Sequence, residues 1–585
     1  MDFIIEPIRA SVHRDGDDLL SAGLGLSGLR GAPIAFADPA APTPAELRRR
    51  AIQVAWNGIA DLGPLGGYGE VYAGVPAVPG REYQAFARVA GARSPHRVLA
   101  QIPDNFDANK RCLIVTASSG SRGIYGGIAV APAWGLPNGC AVAHTDKGTG
   151  PGYFDCADGS GVALDGTRAR AGDAELEFVP DLHSPASGIA IKHAHSHDNP
   201  EGDWGRHLLQ AAQFGLAMLD RAFPQLAPFT SANTRIVAVG LSNAGTAVLQ
   251  AAGLDEHDML AGVVAIEPNV YAPAGAGARA LYDYASEAAI WAPCALSSGR
   301  FNANSLAWLP GNNIATWSAR AQTLRETGLL QPAETQAPTK HALERLLARG
   351  WTDAALATAV TTTAFDMWRA LAITYSSAYC RTGLDAMPGG FHFALLDAQR
   401  RPRSASAAER AAWWSDAAGI APGNGVGIVD ALDDGGADAA FRGIAELAAL
   451  WTGDNANARQ LHASIEATQV CMPRAELPIF VVHGADDGLI PPAFSSTPYA
   501  HWLHANGRRP THWCLPHVQH FDAFLGLPGF GERYVPMLPY AYAAIARMVA
   551  HVTTGTSLSG LRTPTPIPRG AGRLERAHLD LSGIA

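Results

Sequence analysis

Short runs of consecutive apolar residues punctuate the chain at 84–89, 97–102, 112–117, 141–144, 235–240, 263–267 and 479–483. Their length, their Val and Ile content and their Gly, Pro, Asn or Asp flanks predict strands, most of them buried on both faces as in a parallel sheet. Between several of them the spacing turns helical. Residues 203–223 form a long helix ahead of RIVAVG, and another helix starts inside LSNAGTAVLQAAG ahead of VVAIEP. This alternation predicts the α/β class. Upstream, AELRRRAIQVAW behind Thr43-Pro44 predicts a helix with a threonine cap, in an otherwise irregular, Pro/Ala-rich arm over residues 1–65. From 268 to 477 the alternation gives way to amphipathic helical spacing at 315–327, 339–349 and 352–376. The predicted organisation is the arm, a first core segment at 66–270, a helical lid insertion at 271–476 between the sixth and seventh predicted strands, and a second core segment at 477–585. The last segment ends in a helix at 540–552 and a Pro-rich tail over the surface.

Composition removes several function classes. Lys+Arg 44 against Asp+Glu 53 gives a net charge of −9, with no basic stripe, so phosphate neutralisation of a nucleic acid is excluded as a basis for binding. Apolar content of 48% excludes disorder. No apolar run is long enough to span a bilayer, and the first residues lack a basic leader before an apolar stretch, so the chain reads as cytoplasmic or already trimmed. The seven cysteines include no CxxC pair, which argues against a zinc ribbon or a thioredoxin-like site. An odd count leaves at least one free thiol in a monomer, with one or two disulfides open if the protein is exported.

The most informative stretch is RIVAVGLSNAGTAVLQAA, in which a buried strand runs into Gly240-Leu241-Ser242-Asn243-Ala244-Gly245 and a helix follows at once. A serine on such a strained turn projects its Oγ out of the sheet, and small residues two before and two after it avoid a clash. Gly240 and Ala244 meet that need. The helix start under Ser242 directs dipole and free N–H groups at a developing oxyanion, with Asn243 as first donor. A second donor is expected from the loop Ser118–Gly123 in SSGSRG, at Ser119 or Gly120.

An acid and a histidine follow in the order this chemistry requires. In LPIFVVHGADDGLIP the strand ends in HGADD, which makes Asp487 the acid and Asp486 its rival. Downstream, VQHFD offers His520 as proton acceptor, with His517 and His512 as competitors. The predicted fold is therefore an α/β-hydrolase with a mostly parallel sheet.

Three further features carry weaker signals. KHAHSHD at 192–198 would place its imidazoles on one face if extended, but it lacks the remaining ligands of a metallo-hydrolase, so no metal site is expected. His193 and His195 are instead expected to line the pocket or to satisfy loop backbone. Arg122 could hold a substrate carboxylate, although a salt bridge within the core is the preferred reading. Trp291, Trp308, Trp351, Trp368, Tyr375 and Tyr379 are expected in the core of the insertion, with one or two facing the cleft.

The chain resembles the 3-hydroxybutyrate oligomer hydrolases, also called hydroxybutyrate-dimer hydrolases. The resemblance rests on DGDDLLSAGLGLSGL, ELRRRAIQVAWNGIADL, GGYGEVY, SSGSRGIYGGIAVAPAWGLPNGCAVAHTDKGTG, IKHAHSHDNPEGDWG, GLSNAGTAVLQAA, AIEPNV, HGADDGLIP, QHFDAFLGLPGF and the late PRG. It implies a serine esterase that releases 3-hydroxybutyrate monomers, with the nucleophile at Ser242 and the relay at Asp487 and His520. It implies a small-molecule ester as the partner, no cofactor, no nucleic acid or membrane, and an exported protein. The sequence departs from the pattern at Ala244, where Gly is expected, a change that could reshape the oxyanion pocket. Two rival readings are a broader carboxylesterase acting on other small esters and a non-catalytic ligand-binding relative.

Overall fold

The structure is a computed structural model that describes residues 1–148, 152–181, 188–273, 277–297, 300–301, 314–331, 334–419, 422–423 and 425–583. Nine strands form its main sheet: β1 (Ile4–His13), β2 (Gly80–Ala87), β3 (His96–Pro103), β4 (Cys112–Ala117), β5 (Ala141–Thr145), β6 (Arg235–Leu241), β7 (Gly262–Ile266), β8 (Ile479–Gly484) and β9 (Thr511–Leu515). Their spatial order is β1-β2-β3-β5-β4-β6-β7-β8-β9. Pairings from β5 through β4 to β9 are all parallel, whereas β3 runs antiparallel to both its neighbours and β1 to β2. From β2 onward this is the strand order of an α/β-hydrolase, with β1 added at the edge.

Every residue of β4, β7 and β8 is buried, which accounts for their unbroken apolar runs. Alternate residues serve opposite cores. Ile114, Val237, Val264 and Phe480 face one side, whereas Leu113, Ile236, Val263 and Val481 face the other. The principal helices are α1 (Pro44–Asn57), α2 (Pro200–Ala222), α3 (Asn243–Leu254), α4 (Leu281–Leu296), α5 (Ile314–Glu326), α6 (Pro338–Ala348), α7 (Asp353–Ala364), α8 (Met367–Cys380), α9 (Phe441–Thr452), α10 (Ala456–Glu466), α11 (Ser496–Ala505) and α12 (Leu538–Thr554). Helix α1 starts where expected, in a reciprocal box in which the Glu46 N–H donates to Thr43 Oγ1 and the Thr43 N–H to Glu46 Oε2. Helices α2 and α3 cover one face of the sheet and α12 the other.

Several expectations need correction. The arm is not wholly irregular, because β1 pairs with β2 over most of its length. Its pattern is broken by Pro7 and a register shift between Ile5 and Arg9, features an edge strand tolerates. The short, partly polar β9 is equally faint in sequence. Residues 352–376 are two helices rather than one, since Asp366 adopts φ 57° and ends the run between α7 and α8. The chain between β7 and β8 also holds a three-stranded antiparallel sheet of Phe391–Leu396, Pro402–Arg403 and Val426–Asp430.

That chain packs on a further core, which also takes in Tyr153, Ile189 and Ile191 from ahead of β7. Trp351 and Trp368 meet edge to face at 5.7 Å, and Tyr284 packs on Phe494 from the segment after β8. Trp291, Trp351, Trp368, Tyr375 and Tyr379 are all buried, as expected, and Trp308 lies outside the described residues. All seven cysteines are free thiols. No helix among the described residues is long and apolar enough to cross a membrane.

Candidate active site

The carboxyl end of β6 delivers Ser242 at φ 61°, ψ −126°, a conformation an L-residue adopts only when its surroundings impose it. Those surroundings are explicit: the Ser242 N–H donates to Ile266 O at 2.8 Å, and the Asn269 N–H donates to Ser242 O at 3.4 Å. A Cβ on Gly240 would stand 2.1 Å from Ala244 O, so the small residue two before the serine is obligatory. Ala244 itself sits buried in the first turn of α3, where its methyl group is accommodated.

Strands β8 and β9 bring in the other two members. Ser242 Oγ lies 3.0 Å from His520 Nε2, and His520 Nδ1 lies 2.7 Å from Asp487 Oδ2. The other Asp487 oxygen accepts the N–H groups of Leu489 and Ile490 at 2.8 and 2.7 Å. Burial alone would raise this carboxyl, but His520 and His483 outweigh it and hold Asp487 well below the usual carboxylate range. His483 Nε2 is 2.8 Å from Ile490 O and 3.2 Å from Asp487 Oδ2, so it braces the acid from behind.

The rivals are placed elsewhere. Asp486 accepts the N–H of His517, and neither His517 nor His512 makes a hydrogen bond to Ser242. With Nε2 of His520 facing the serine and Nδ1 facing the acid, the imidazole is oriented to take the hydroxyl proton and stay paired once charged.

Donors for a developing oxyanion are available on the same side. Asn243 is the first residue of α3, so its N–H has no acceptor within the helix. Ser119 and Gly120 line the pocket with Ser242, and their N–H groups have no acceptor among the described residues. The Asn243 side chain is fixed by a donated hydrogen bond to Tyr375 Oη at 2.8 Å.

Behind Tyr375 lies a buried polar network that the sequence did not reveal. Lys147 Nζ reaches Tyr375 Oη at 3.4 Å and also pairs with Glu201, which meets His193 Nε2 at 2.9 Å. His193 is thus part of the scaffold under Asn243 and does not line the pocket. His195 accepts the Ile191 N–H at 2.9 Å and is likewise absent from the pocket wall. Residues Lys192–His195 form a helical turn, so imidazoles two residues apart diverge instead of sharing a face.

Arg122 also departs from the preferred reading. It forms no ion pair among the described residues; its Nη2 donates to Gly58 O, and the guanidinium lines the pocket that holds Ser242. Burial pushes it down to about 10. A second surprise is Glu267, at the end of β7, fully buried with a carboxyl oxygen 3.5 Å from His520 Nδ1. Burial, and then the Asp487 charge, push it well above the usual carboxylate range. A charged residue at the carboxyl end of a buried strand, in AIEP, was the available signal.

Comparison with known proteins supplies the remaining finding. The profile of the 3HB-oligomer hydrolase family, 3HBOH, matches residues 3–582. The chain is 34% identical to D-(-)-3-hydroxybutyrate oligomer hydrolase of Paracidovorax citrulli, over 96% of this chain and 89% of that one. It is 33% identical to the protein of the same name from Polaromonas naphthalenivorans, over 96% and 88%. Among solved structures it is similar to feruloyl esterase B from Aspergillus oryzae, at 13% identity and a TM-score of 0.36, covering 89% of this chain and 88% of the other. A likeness at that level leaves the fold assignment to the strand order itself. The sequence match spans nearly the whole chain, and this protein belongs to the 3HB-oligomer hydrolase family.

Proposed function

We propose that the chain is a serine esterase that hydrolyses (R)-3-hydroxybutyrate dimers and short oligomers to 3-hydroxybutyrate. The observation that carries this is the continuous relay from Ser242 Oγ through His520 to Asp487, in a chain of that family. Ser242 Oγ attacks the ester carbonyl as His520 Nε2 takes its proton, and the Asn243 N–H with that of Ser119 or Gly120 stabilises the oxyanion. The tetrahedral intermediate collapses, His520 returns the proton to the departing alkoxide, and a 3-hydroxybutyryl ester remains on Ser242. A water deprotonated by the same histidine then cleaves that ester, releasing the acid and restoring the hydroxyl.

Helices α4 and α8, from between β7 and β8, contribute Leu281, Leu371 and Tyr375 to the pocket wall. This supports reading the insertion as a lid that shapes the pocket for short chains. An exported location follows from the family resemblance alone.

The test is release of 3-hydroxybutyrate from the (R)-dimer and trimer by the wild-type chain and by Ser242→Ala, with folding followed by circular dichroism. Turnover by the wild type and none by a folded variant is expected. A wild type that is labelled at Ser242 by a fluorophosphonate, yet leaves both oligomers intact, would remove the substrate assignment and keep the serine chemistry.

A further inference from the structure

An esterase pocket for a neutral acyl chain has no use for a cation, yet Arg122 lines the pocket beside Ser242. A guanidinium carries five N–H donors, and only Gly58 O accepts from this one among the described residues. Among the described residues no Asp or Glu pairs with it. Room for the group is made by glycines. A Cβ on Gly58 would come within 2.5 Å of Nη2, one on Gly419 within 2.9 Å, and one on Gly120 within 3.7 Å of Nη1. The planar head is thus held between two backbone segments, in a fixed orientation suited to a bidentate acceptor.

Arg122 also lines an outer cleft that opens from the same place. An aromatic row leads outward along it. Phe521 packs against the His520 ring at 4.8 Å, Phe524 against Phe521 at 4.5 Å, and Phe365, 42% exposed, against Phe524 at 5.3 Å. Farther out, Arg369 is paired with Asp366, whereas Arg400 has no carboxylate partner among the described residues. The exit from the serine therefore combines apolar walls with an uncompensated positive charge.

We infer that Arg122 binds the free carboxylate of the substrate, which makes the ester bond nearest the carboxyl end of the oligomer the one that is cleaved. This rests on the esterase reading given above. In a 3-hydroxybutyrate oligomer that carboxylate lies three bonds beyond the ester oxygen of the last linkage, a span of roughly 4–5 Å, which one pocket wall can bridge. Each further unit moves the carboxylate away by a similar length. The group that departs is a hydroxy acid whose anion is already held by the protein, while the acyl part stays on Ser242.

The experiment compares the (R)-dimer as free acid with the same dimer capped as its methyl ester, using wild type, Arg122→Gln and Arg122→Lys. For the wild type, kcat/KM on the free acid is expected to exceed that on the methyl ester by roughly 10- to 100-fold, mostly through KM, the range of a charge-assisted hydrogen bond. Arg122→Gln is expected to bring that ratio near one, and Arg122→Lys to retain part of it. Because the ratio is taken within each variant, a general loss of activity or of folded protein cancels. A wild type that treats both dimers alike, or a Gln variant that keeps the ratio, would overturn the inference.

A second readout is independent of dimer turnover: inhibition of p-nitrophenyl butyrate hydrolysis by (R)-3-hydroxybutyrate and by its methyl ester. The anion is expected to inhibit at least tenfold more strongly in the wild type and no better than the ester in Arg122→Gln. If the dimer is not cleaved but this preference depends on Arg122, the oligomer reading fails and the carboxylate site stands. Equal inhibition by acid and ester removes the site whatever the substrate.

Discussion

Replacing Gly240 by Ala tests the construction of the elbow without touching any group that meets substrate. The added Cβ would fall 2.1 Å from Ala244 O, 2.4 Å from Ala244 C and 2.8 Å from Gly245 N. All three atoms are backbone in the first turn of α3, so no rotamer relieves the clash. Cβ atoms essentially never approach closer than 3.0 Å, so strand and helix must separate by about 0.9 Å at this point. That movement acts on Ser242 and on the Asn243 N–H, which lie on the intervening turn. Overpacking of this kind costs about 1–3 kcal/mol. A displacement of about 1 Å at a nucleophile costs on the order of 10²-fold in rate. The assay is kcat/KM on p-nitrophenyl butyrate beside the rate of fluorophosphonate labelling, with urea unfolding as the stability measure. Both rates should fall by about 10²-fold while the chain stays folded. Wild-type rates at unchanged stability would refute the claim that the turn leaves no space at Gly240.

Two other perturbations follow from the charges. Asp487→Asn should lower kcat by about 10³- to 10⁴-fold, since the amide cannot hold the His520 tautomer or stabilise the charged ring, whereas Asp486→Asn should stay within a few-fold. Steady-state kinetics on one ester decides this, and equal losses would reverse the assignment of the acid. Asp146, wholly buried, is pushed up to about 7 by burial and then by the Glu177 charge. Between about pH 4 and 7 the folded chain keeps a proton that the unfolded chain has released, so stability falls as pH rises through that window. Asp146→Asn mimics the protonated acid. Relative to wild type it should gain resistance to urea as pH rises from 5 to 8, and a relative loss would show that the ionised form is needed.

What could be read in the sequence was the chemistry carried by contiguous residues. Ser242, Asp487 and His520 each stand in a local string, and the proposed relay was picked from the order Ser, Asp, His in which those strings follow one another, with Asp486, His517 and His512 as rivals. Residues whose roles depend on distant partners could not be read in this way. Asn243 meets Tyr375 from a helix 132 residues away, and Arg97 pairs with Glu177 across the first half of the chain. Arg122 was expected in a core ion pair because buried arginines usually find one, and its actual surroundings are the backbone of Gly58 and Gly419. Glu267 was visible as a charge at a strand end, but its closeness to His520 depends on β7 and β8 being neighbours. Secondary structure failed where one residue decides it: Asp366 splits a continuous helical pattern, and Pro7 disguises a strand.

The connection between β7 and β8 has a consequence for how the molecule comes into being. Ile266 pairs with Val482, yet the whole segment separating them in sequence must be synthesised before that ladder can form. At typical elongation rates of roughly 5–20 residues per second, β7 waits on the order of 10–40 s with one edge unmatched. An open edge of Val and Ile is a template for association with other chains. The intervening helices already carry Trp351 and Trp368, which meet edge to face and are both made before β8. The proposed relay is subject to the same delay. Its serine, Ser242, is synthesised 278 residues ahead of His520, so a nascent fragment ending between them lacks the imidazole that the relay needs.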